Sequence, residues 1–543
     1  MSNPTIKRAL VSVTDKSGIV DFCHVLVDEF AVQIVSTGGT ARTLKDAGIA
    51  VTAIEEVTGF PEMMDGRIKT LHPKVHGALL ARRDSATHLA AAHKHGIVPI
   101  DLVVVNLYAF ADAIAQGANE DVAVEHIDIG GPSMLRSAAK NSASVTVLTD
   151  PACYDDILAE MREHEGCTTL TTRKKLAADA FALTAQYDAM IAAHLAPAPS
   201  AADGGDLVLT LEKIQDLRYG ENPHQTAAYY RYKDCNAHSL AAAVQRQGKE
   251  LSYNNILDTD AAWAAVREFT DPSCVIVKHT NPCGAASDDD LVAAYQKAWA
   301  GDPLSAFGGI IALNRPLTAA LAQAIFATKQ FVEVIIAPSY EDAALELFAT
   351  KPNLRILETG GVCPPQDQPP AAGSACDRTD VPRWSQLRSV EGGILAQSED
   401  TACEDPATFS VVSKAQPSQQ QLQDLLFAWK VCKSVKSNAI VIVKDRAMLG
   451  MGAGQPNRVN AARVAISQAS QSADDADATS VPAGCVAASD AFVPFPDTVS
   501  VLAQAGITAL IQPGGSMRDE EVIAAADAAG MVMLATGRRH FRH

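Results

Sequence analysis

Short aliphatic runs separated by longer amphipathic stretches organise the first 195 residues. Ala9–Val13, Val32–Val35, Leu102–Val105 and Val145–Leu148 are compact, largely β-branched runs of the length expected for buried strands. Between them, Ser17–Glu29 and Thr40–Ala47 place apolar residues at helical spacing, and the Ala-rich stretch Thr171–Leu195 predicts a long helix. Strands alternating with helices in this way predict a parallel sheet covered by helices. The segment Ala196-Pro197-Ala198-Pro199-Ser200-Ala201-Ala202-Asp203-Gly204-Gly205-Asp206 then mixes Pro, Gly and small residues. That is linker composition, and it puts a domain boundary near residue 200.

The same alternation resumes beyond the linker. Val275–Val277, Gly309–Leu313, Val332–Ile336, Ala439–Val443 and Ala509–Ile511 read as strands, and their spacing allows two similar α/β halves. Gly360–Pro382, rich in Pro, and Ser467–Gly484, rich in Ser, Asp and Ala, read as surface loops. No short-period repeat is evident. At ~150 residues per domain, 543 residues predict three or four compact units, or two if the α/β domains are large.

Charge and cysteine usage narrow the function classes. A net charge of −18 argues against a general nucleic-acid binder, whose affinity rests on Lys and Arg neutralising phosphates. Eleven cysteines without a Cys-x-x-Cys pair favour a reducing cytosol over a disulfide framework. The chain reaches a strand-like run too soon for a signal peptide, and it has no run of ~18 apolar residues. A soluble cytoplasmic protein, away from membrane, is expected.

Polar residues cluster where strands end. Val11-Ser12-Val13-Thr14-Asp15-Lys16-Ser17 and Ile34-Val35-Ser36-Thr37-Gly38-Gly39-Thr40 each leave a strand and enter a helix. Glycines let backbone approach an anion, hydroxyls donate to it, and a helix N-terminus adds free N–H groups. A plain Ser/Thr helix cap explains either segment equally simply. Gly66–Gly77 holds three cations and two histidines; if extended, Arg67 and Lys69 point the same way, and otherwise the run is a solvated basic loop. Ile127–Asn141 reads as strand, tight turn and helix, with Ser133, Arg136 and Lys140 on one helical face. With Asn106-Leu107-Tyr108, these segments describe a phosphate pocket with Lys, Tyr and Asp available for proton transfer. In the second region, Val275–Val277 ends in Lys278 and His279, and Asn281-Pro282 is expected to turn the chain. A cation, an imidazole and an amide beyond a strand end suit proton transfer to a polar substrate, and a solvated turn is the bland alternative.

Taken together, these residues resemble the bifunctional family that joins an AICAR formyltransferase to an IMP cyclohydrolase on one chain. The resemblance runs over essentially the whole sequence. It includes STGGT at 36–40, GFPEMMDGRIKTLHPKVHG at 59–77, IDIGGPSMLRSAAKN at 127–141, LRYGENPHQ at 217–225 and LSYNNILDTDAA at 251–262. Further on come KHTNPCG at 278–284, SAFGGIIA at 305–312, KSNAIV at 436–441, GAGQPNR at 452–458, IQPGGSMRDEEV at 511–522 and RHFRH at 539–543.

The resemblance implies an α/β architecture: a methylglyoxal-synthase-like cyclohydrolase domain over 1–199, and a formyltransferase region over 200–543 built from two cytidine-deaminase-like halves. It also implies a homodimer whose transferase sites lie at the subunit interface. For formyl transfer from 10-formyltetrahydrofolate to AICAR it implies His279 for proton transfer, Lys278 for the oxyanion and Asn438 for orienting the substrate. Arg218, Tyr219, Gly308, Glu333, Arg458, Phe492 and Arg539 fall at nucleotide positions, and Val459, Phe492, Asp497, Gly515 and Ser516 at folate positions. For cyclisation of FAICAR to IMP it implies Lys140 as acid/base, with Lys69, Tyr108 and Asp128 positioning the substrate. Ser12, Thr14, Lys16, Ser36, Thr37, Gly38, Gly39, Thr40, Arg67 and Thr70 would hold the nucleotide. No metal is implied for the chemistry.

The chain departs from the family pattern at Ala109, where proline is common, and at Val493 and Pro496, where Phe and Arg are usual. Two other functions compete. A zinc deaminase would need Pro-Cys-x-x-Cys, and Pro282-Cys283-Gly284-Ala285-Ala286 lacks the second cysteine. A non-catalytic nucleotide sensor would bind purine monophosphates through the same polar clusters.

Overall fold

Val103 and its aliphatic neighbours are buried on both faces, as strands sandwiched between helices must be. The computed structural model describes residues 3–64, 67–107, 109–195, 207–232, 235–362, 386–402, 405–471 and 480–543. Tyr108, the linker at 196–206 and most of the two expected loops (363–385 and 472–479) lie outside the described residues. The chain divides into two compact units, Met1–Thr210 and Leu211–His543.

The first unit opens with β1 (Arg8–Ser12), α1 (Ile19–Asp28), β2 (Gln33–Ser36), α2 (Gly38–Asp46) and β3 (Val51–Ala53). Three helices follow: α3 (Ile54–Thr58), α4 (Pro73–Leu80) and α5 (Ala86–Lys94). Then come β4 (Leu102–Val105), α6 (Ala109–Ala115), α7 (Glu120–Glu125), α8 (Gly130–Lys140), β5 (Thr146–Leu148), α9 (Tyr154–Glu163) and α10 (Leu170–Leu195). The five strands form one parallel sheet in the order β3-β2-β1-β4-β5. The switch in strand order places a crevice at the carboxyl ends of β1, β2 and β4.

In the second unit, β6 (Leu211–Leu217) and β7 (Ala227–Tyr232) form a separate ribbon, as do β14 (Gln386–Val390) and β15 (Gly393–Gln397). The rest is one twelve-stranded sheet built from a duplicated half. The first half is β8 (Val244–Gln247), α11 (Tyr253–Val266), β9 (Ser273–Lys278), β10 (Asn281–Ser287), α12 (Leu291–Gly301), α13 (Pro303–Ala306), β11 (Gly309–Leu313), α14 (Ala319–Ala327), β12 (Val332–Ala337), α15 (Asp342–Phe348) and β13 (Arg355–Glu358). The second is β16 (Ser410–Val411), α16 (Gln419–Lys433), β17 (Ile440–Lys444), β18 (Ala447–Gly452), α17 (Arg458–Gln471), β19 (Val486–Ser489), α18 (Pro496–Gln504), β20 (Ala509–Gln512), α19 (Asp519–Ala528) and β21 (Val532–Ala535).

Across the sheet the order is β16-β21-β20-β19-β17-β18-β10-β9-β11-β12-β13-β8, a palindrome about the antiparallel β10–β18 pair. Each half repeats the same pairing: a hairpin, an antiparallel neighbour and two parallel strands. The two helices preceding the hairpins start alike, with Ser252 and Ser418 each completing a capping box. Gly284 and Gly450 hold equivalent places, where a Cβ would sit 2.1 and 2.2 Å from the carbonyl oxygens of Ala298 and Ala465. Only glycine lets these strands lie so close to α12 and α17.

Two expectations are corrected. Asn281-Pro282 does not turn the chain; Asn281 opens β10, and the turn is His279-Thr280, with φ of 53° and 62°. Two consecutive residues with positive φ make the tight turn whose twist suits a hairpin. Helix α17 also runs to Gln471, into the stretch expected to be a loop. Among the described residues, no helix is long and apolar enough to cross a membrane.

Candidate active sites

At the crevice of the first unit, β1 and β2 deliver their hydroxyls differently. Ser36 is fully buried and donates to Val11 O at 2.6 Å, and Thr40 donates to Val13 O at 3.0 Å while accepting Val13 N–H at 3.1 Å. Ser36 thereby ties β2 to β1, and Thr40 ties α2 to the end of β1. Ser12 Oγ and Thr37 Oγ1, 3.3 Å apart, remain at the crevice with the backbone of Gly38 and Gly39 opening α2. Gly38 has φ of 48°, and Lys69 Nζ lies 3.1 Å from where its Cβ would be. Any side chain there would push the ammonium away from the helix N-terminus.

Thr14 is held by Asn106, whose Oδ1 accepts the N–H groups of Thr14 (2.7 Å) and Asp15 (3.2 Å). Lys16 Nζ reaches Thr14 O at 3.4 Å. Lys69 pairs with Glu62 at 2.8 Å, whereas exposed Arg67 pairs with Glu125. The two side chains therefore diverge, because residues 67–70 form a turn and bends instead of a strand.

Thr70 and Asp128 close the pocket beside the N-terminus of α8. A Cβ on Gly130 would meet Thr70 Oγ1 at 2.6 Å, and Asp128 Oδ1 accepts Gly131 N–H at 2.9 Å. Tyr187 OH accepts Asp128 N–H at 2.6 Å and fixes the turn. Burial pushes the Asp128 carboxyl up, against the opposing pull of the Gly131 and Gly130 N–H groups. Lys140 lies further along the same helix: it ends the eleven-residue α8, about 15 Å of helix axis from Gly130. Residues 141–145 then lead into β5.

In the second unit, strand directions bring a second set of groups to one edge of the large sheet. The β9–β10 turn, the start of β17 and the carboxyl ends of β19, β20 and β21 all meet there. Lys278 Nζ donates to Phe307 O at 2.8 Å, and Gly308 N–H, at φ of 74°, donates to Phe331 O at 2.7 Å. His279 is exposed at the turn. Asn281 Oδ1 accepts Lys436 N–H at 3.1 Å, which ties this turn to the segment carrying Asn438. The Ser437–Asn438 peptide is cis, and Asn438 Nδ2 donates to Gln455 O at 2.8 Å. Glu333 is paired with Arg355 at 2.7 Å.

Arg458 is only 6% exposed, so its guanidinium is not a free ligand group. It pairs with buried Asp490 and donates to Ser489 Oγ at 2.8 Å and Asn438 Oδ1 at 2.9 Å. Val459 follows it, half-buried, on the first turn of α17. Asp519 accepts the N–H groups of Gly515 (2.7 Å) and Ser516 (3.0 Å), which fixes the loop after β20. Phe492 is partly exposed, and Asp497 accepts Thr498 N–H at 2.7 Å in the first turn of α18. Val493 points into the core and Pro496 opens α18, so both departures from the expected pattern have structural uses. Exposed Arg539 stacks over Phe541 at 4.6 Å. Arg218 and Tyr219, just after β6, stack on each other at 4.6 Å.

Comparison with known proteins matches residues 18–133 to the MGS-like domain and residues 138–468 to the AICARFT/IMPCHase bienzyme family. The bifunctional purine biosynthesis protein PurH of Cereibacter sphaeroides is 52% identical over 545 aligned residues, covering 99% of each chain. The chain belongs to the AICARFT/IMPCHase bienzyme family. A crystal structure of ForH is 36% identical and covers 35% of this chain and 98% of its own, with a TM-score of 0.32.

Membership of the bienzyme family makes this chain a formyltransferase and a cyclohydrolase of purine biosynthesis. Two residues that hold this edge of the large sheet in place were not among those singled out by sequence: Asp258 and Asp490. Asp258 accepts backbone N–H groups of the His279-Thr280 turn, and Asp490 accepts Ala439 N–H and the Ser437 hydroxyl beside its pairing with Arg458. Contacts made across the fold leave no local pattern to read.

Proposed function

We propose that the Lys278-His279-Asn438 edge performs formyl transfer from 10-formyltetrahydrofolate to AICAR, and that the crevice of the first unit closes FAICAR to IMP. The reading rests above all on one observation: a cation, an exposed imidazole and an amide converge at one sheet edge, from two halves of a duplicated fold. In the first step the 5-amino nitrogen attacks the formyl carbon, and the tetrahydrofolate nitrogen leaves with a proton. His279 takes the amine proton, and Lys278 stabilises the oxyanion. Asn438 orients the carboxamide, with Arg458 acting through it. Gly308, Glu333, Phe492, Arg539, Arg218 and Tyr219 bound the nucleotide side, and Val459, Asp497, Gly515 and Ser516 the folate side.

In the second step the carboxamide nitrogen attacks the new formyl group of the same molecule and water leaves. Orientation supplies much of the acceleration, since both reacting groups are already joined. Among the described residues, Lys69 and Asp128 flank the crevice, and we assign the proton transfers to them. Lys140, the family's acid/base position, is left an indirect part. We place the cyclohydrolase in 1–199 and the transferase in 200–543, on a cytoplasmic homodimer. Exposed Leu304, Phe307 and Phe331 beside Lys278 suit coverage by a second subunit.

Incubation with AICAR and 10-formyltetrahydrofolate, with tetrahydrofolate and IMP followed separately, tests both steps. His279→Ala should stop formyl transfer while supplied FAICAR still cyclises. Purine binding without either product would favour a sensor.

A further inference from the structure

The second unit carries the same clasp twice. Asp258, on α11, accepts His279 N–H at Oδ2 (3.2 Å) and Thr280 N–H at Oδ1 (2.7 Å). Asp424, on α16, accepts Asp445 N–H at Oδ2 (3.1 Å) and Arg446 N–H at Oδ1 (2.7 Å). The offset is 166 residues throughout: Asp258 to Asp424, Trp263 to Trp429, and Val-Ile-Val-Lys at 275–278 to the same four residues at 441–444. Both turns are left-handed, with φ of 53° and 62° in the first and 52° and 54° in the second. Residues with side chains rarely adopt that conformation unaided, and neither turn contains glycine. In each half a carboxylate receives the two amides that such a turn exposes.

The turns differ in what they carry. Arg446 pairs with Asp271 at 3.1 Å and Asp289 at 3.3 Å, and its carbonyl accepts Ser287 N–H at 3.0 Å. Lys297 Nζ reaches Asp445 O at 3.3 Å. The second turn is thus sewn into the sheet edge. His279, at the place of Asp445, is exposed, and among the described residues no hydrogen bond of its ring is recorded. Its direction is set by the backbone that Asp258 grips.

We propose that Asp258 is a positioning residue for formyl transfer: its carboxylate holds the left-handed turn that aims the His279 imidazole, a clasp of the duplicated fold turned to catalytic use in one half only. The proposal rests on the assignment of proton transfer to His279. Both Asp258 oxygens are occupied by backbone N–H groups, so Asp258 acts through the turn and not as an acid or base. Without it, φ at 279 and 280 relaxes toward negative values and the ring swings off its line. A displacement of ~1 Å at a reacting group costs on the order of a hundredfold in rate.

The full-length protein with Asp258→Ala, Asp258→Asn, His279→Ala or Asp258→Ala/His279→Ala is assayed for transfer kcat and KM, and for cyclisation of supplied FAICAR. Asp258→Ala should lower transfer kcat about ten- to a hundredfold with KM within about threefold of wild type, and leave cyclisation intact. Asp258→Asn, which keeps one acceptor oxygen, should lose less. The double variant should be no slower than His279→Ala. Adding Thr280→Gly to Asp258→Ala should restore part of kcat, because glycine adopts positive φ without help.

Unchanged kcat in Asp258→Ala, with transfer abolished in His279→Ala, overturns the positioning role and leaves the His279 assignment standing. Transfer surviving in His279→Ala overturns that assignment itself. Asp424→Ala serves as the structural control and should lower the melting temperature without lowering kcat. If its kcat falls as far as that of Asp258→Ala, or if Asp258→Asn melts early and loses nucleotide binding together with kcat, the clasp is merely structural.

Discussion

Arg458 lies against Asp490 in a sealed ion pair, and the same guanidinium reaches Asn438 Oδ1 at 2.9 Å. Asp490 also accepts Ala439 N–H at 3.1 Å and the Ser437 hydroxyl, so one buried carboxylate secures both flanks of Asn438. A lysine cannot span two acceptors with a planar fork. Arg458→Lys should therefore keep the charge and lose the second contact. Transfer kcat is expected to fall by about tenfold or more, with cyclisation unchanged. Arg458→Ala strands the Asp490 charge and should cost the second unit about 3–5 kcal/mol in denaturant melts. Equal transfer rates in Arg458→Lys and wild type would show that Asn438 needs no such support.

The first unit makes a sharper division between two lysines. Lys69 sits against Gly38 at the mouth of α2, while Lys140 ends α8, about 15 Å of helix axis from Gly130. Lys69→Ala should accumulate FAICAR when AICAR and formyl donor are supplied, with cyclisation slowed on the order of a hundredfold. Lys140→Ala should stay within about threefold of wild type, as expected for a charge about 15 Å of helix axis from Gly130. A folded Lys140→Ala protein that accumulates FAICAR as strongly as Lys69→Ala would return the acid/base role to Lys140.

Leu102–Val105 and Gly309–Leu313 are strands over the residues their aliphatic runs mark, because strands buried on both faces admit little else. The hairpin partners were harder to see. β10 reads Asn-Pro-Cys-Gly-Ala-Ala-Ser and β18 reads Ala-Met-Leu-Gly-Met-Gly, with glycines where α12 and α17 come close in place of residues that strands prefer. The duplication is written in the sequence, in Val-Ile-Val-Lys at 275 and again at 441, but at a spacing no local pattern covers. Lys278 and His279 were legible as polar residues at a strand end, and Asn438 only through the family resemblance. Asp258 and Asp490 were not, since their partners lie far along the chain.

Asp128 gives the first unit a pH signature. Its carboxyl is raised by burial above the ordinary value of 3.8, so the ionised form is disfavoured in the fold. Such a group contributes its full stability while protonated, below 3.8, and loses it as pH rises through the raised folded value. Asp128→Asn has no charge to bury. The melting temperature of Asp128→Asn relative to wild type should therefore climb as pH rises from 3.8 through that window and then level off. A relative melting temperature that falls over the same range contradicts the raised carboxyl.

The last residues of the chain pair with the segment around Asn438. Ser437 N–H donates to Arg542 O at 2.8 Å, and Arg542 N–H donates back to Ser437 Oγ at 3.2 Å. His540 is buried against Trp429; its N–H donates to Asp490 O at 3.0 Å, and its ring meets Asp400 Oδ2 at 2.6 Å. Burial alone would raise Asp400, but His540 and Lys433 outweigh it and hold the carboxyl below its usual range. Deleting Arg539–His543 should abolish formyl transfer, since it removes Arg539 from the edge and the tail from Ser437, yet leave FAICAR cyclisation at wild-type rate. His540→Ala separates the two effects: it keeps Arg539 but unseats the tail, and should cut transfer kcat about tenfold while exposed Phe541→Ala does little. Full transfer activity after the deletion would make these residues a frayed end.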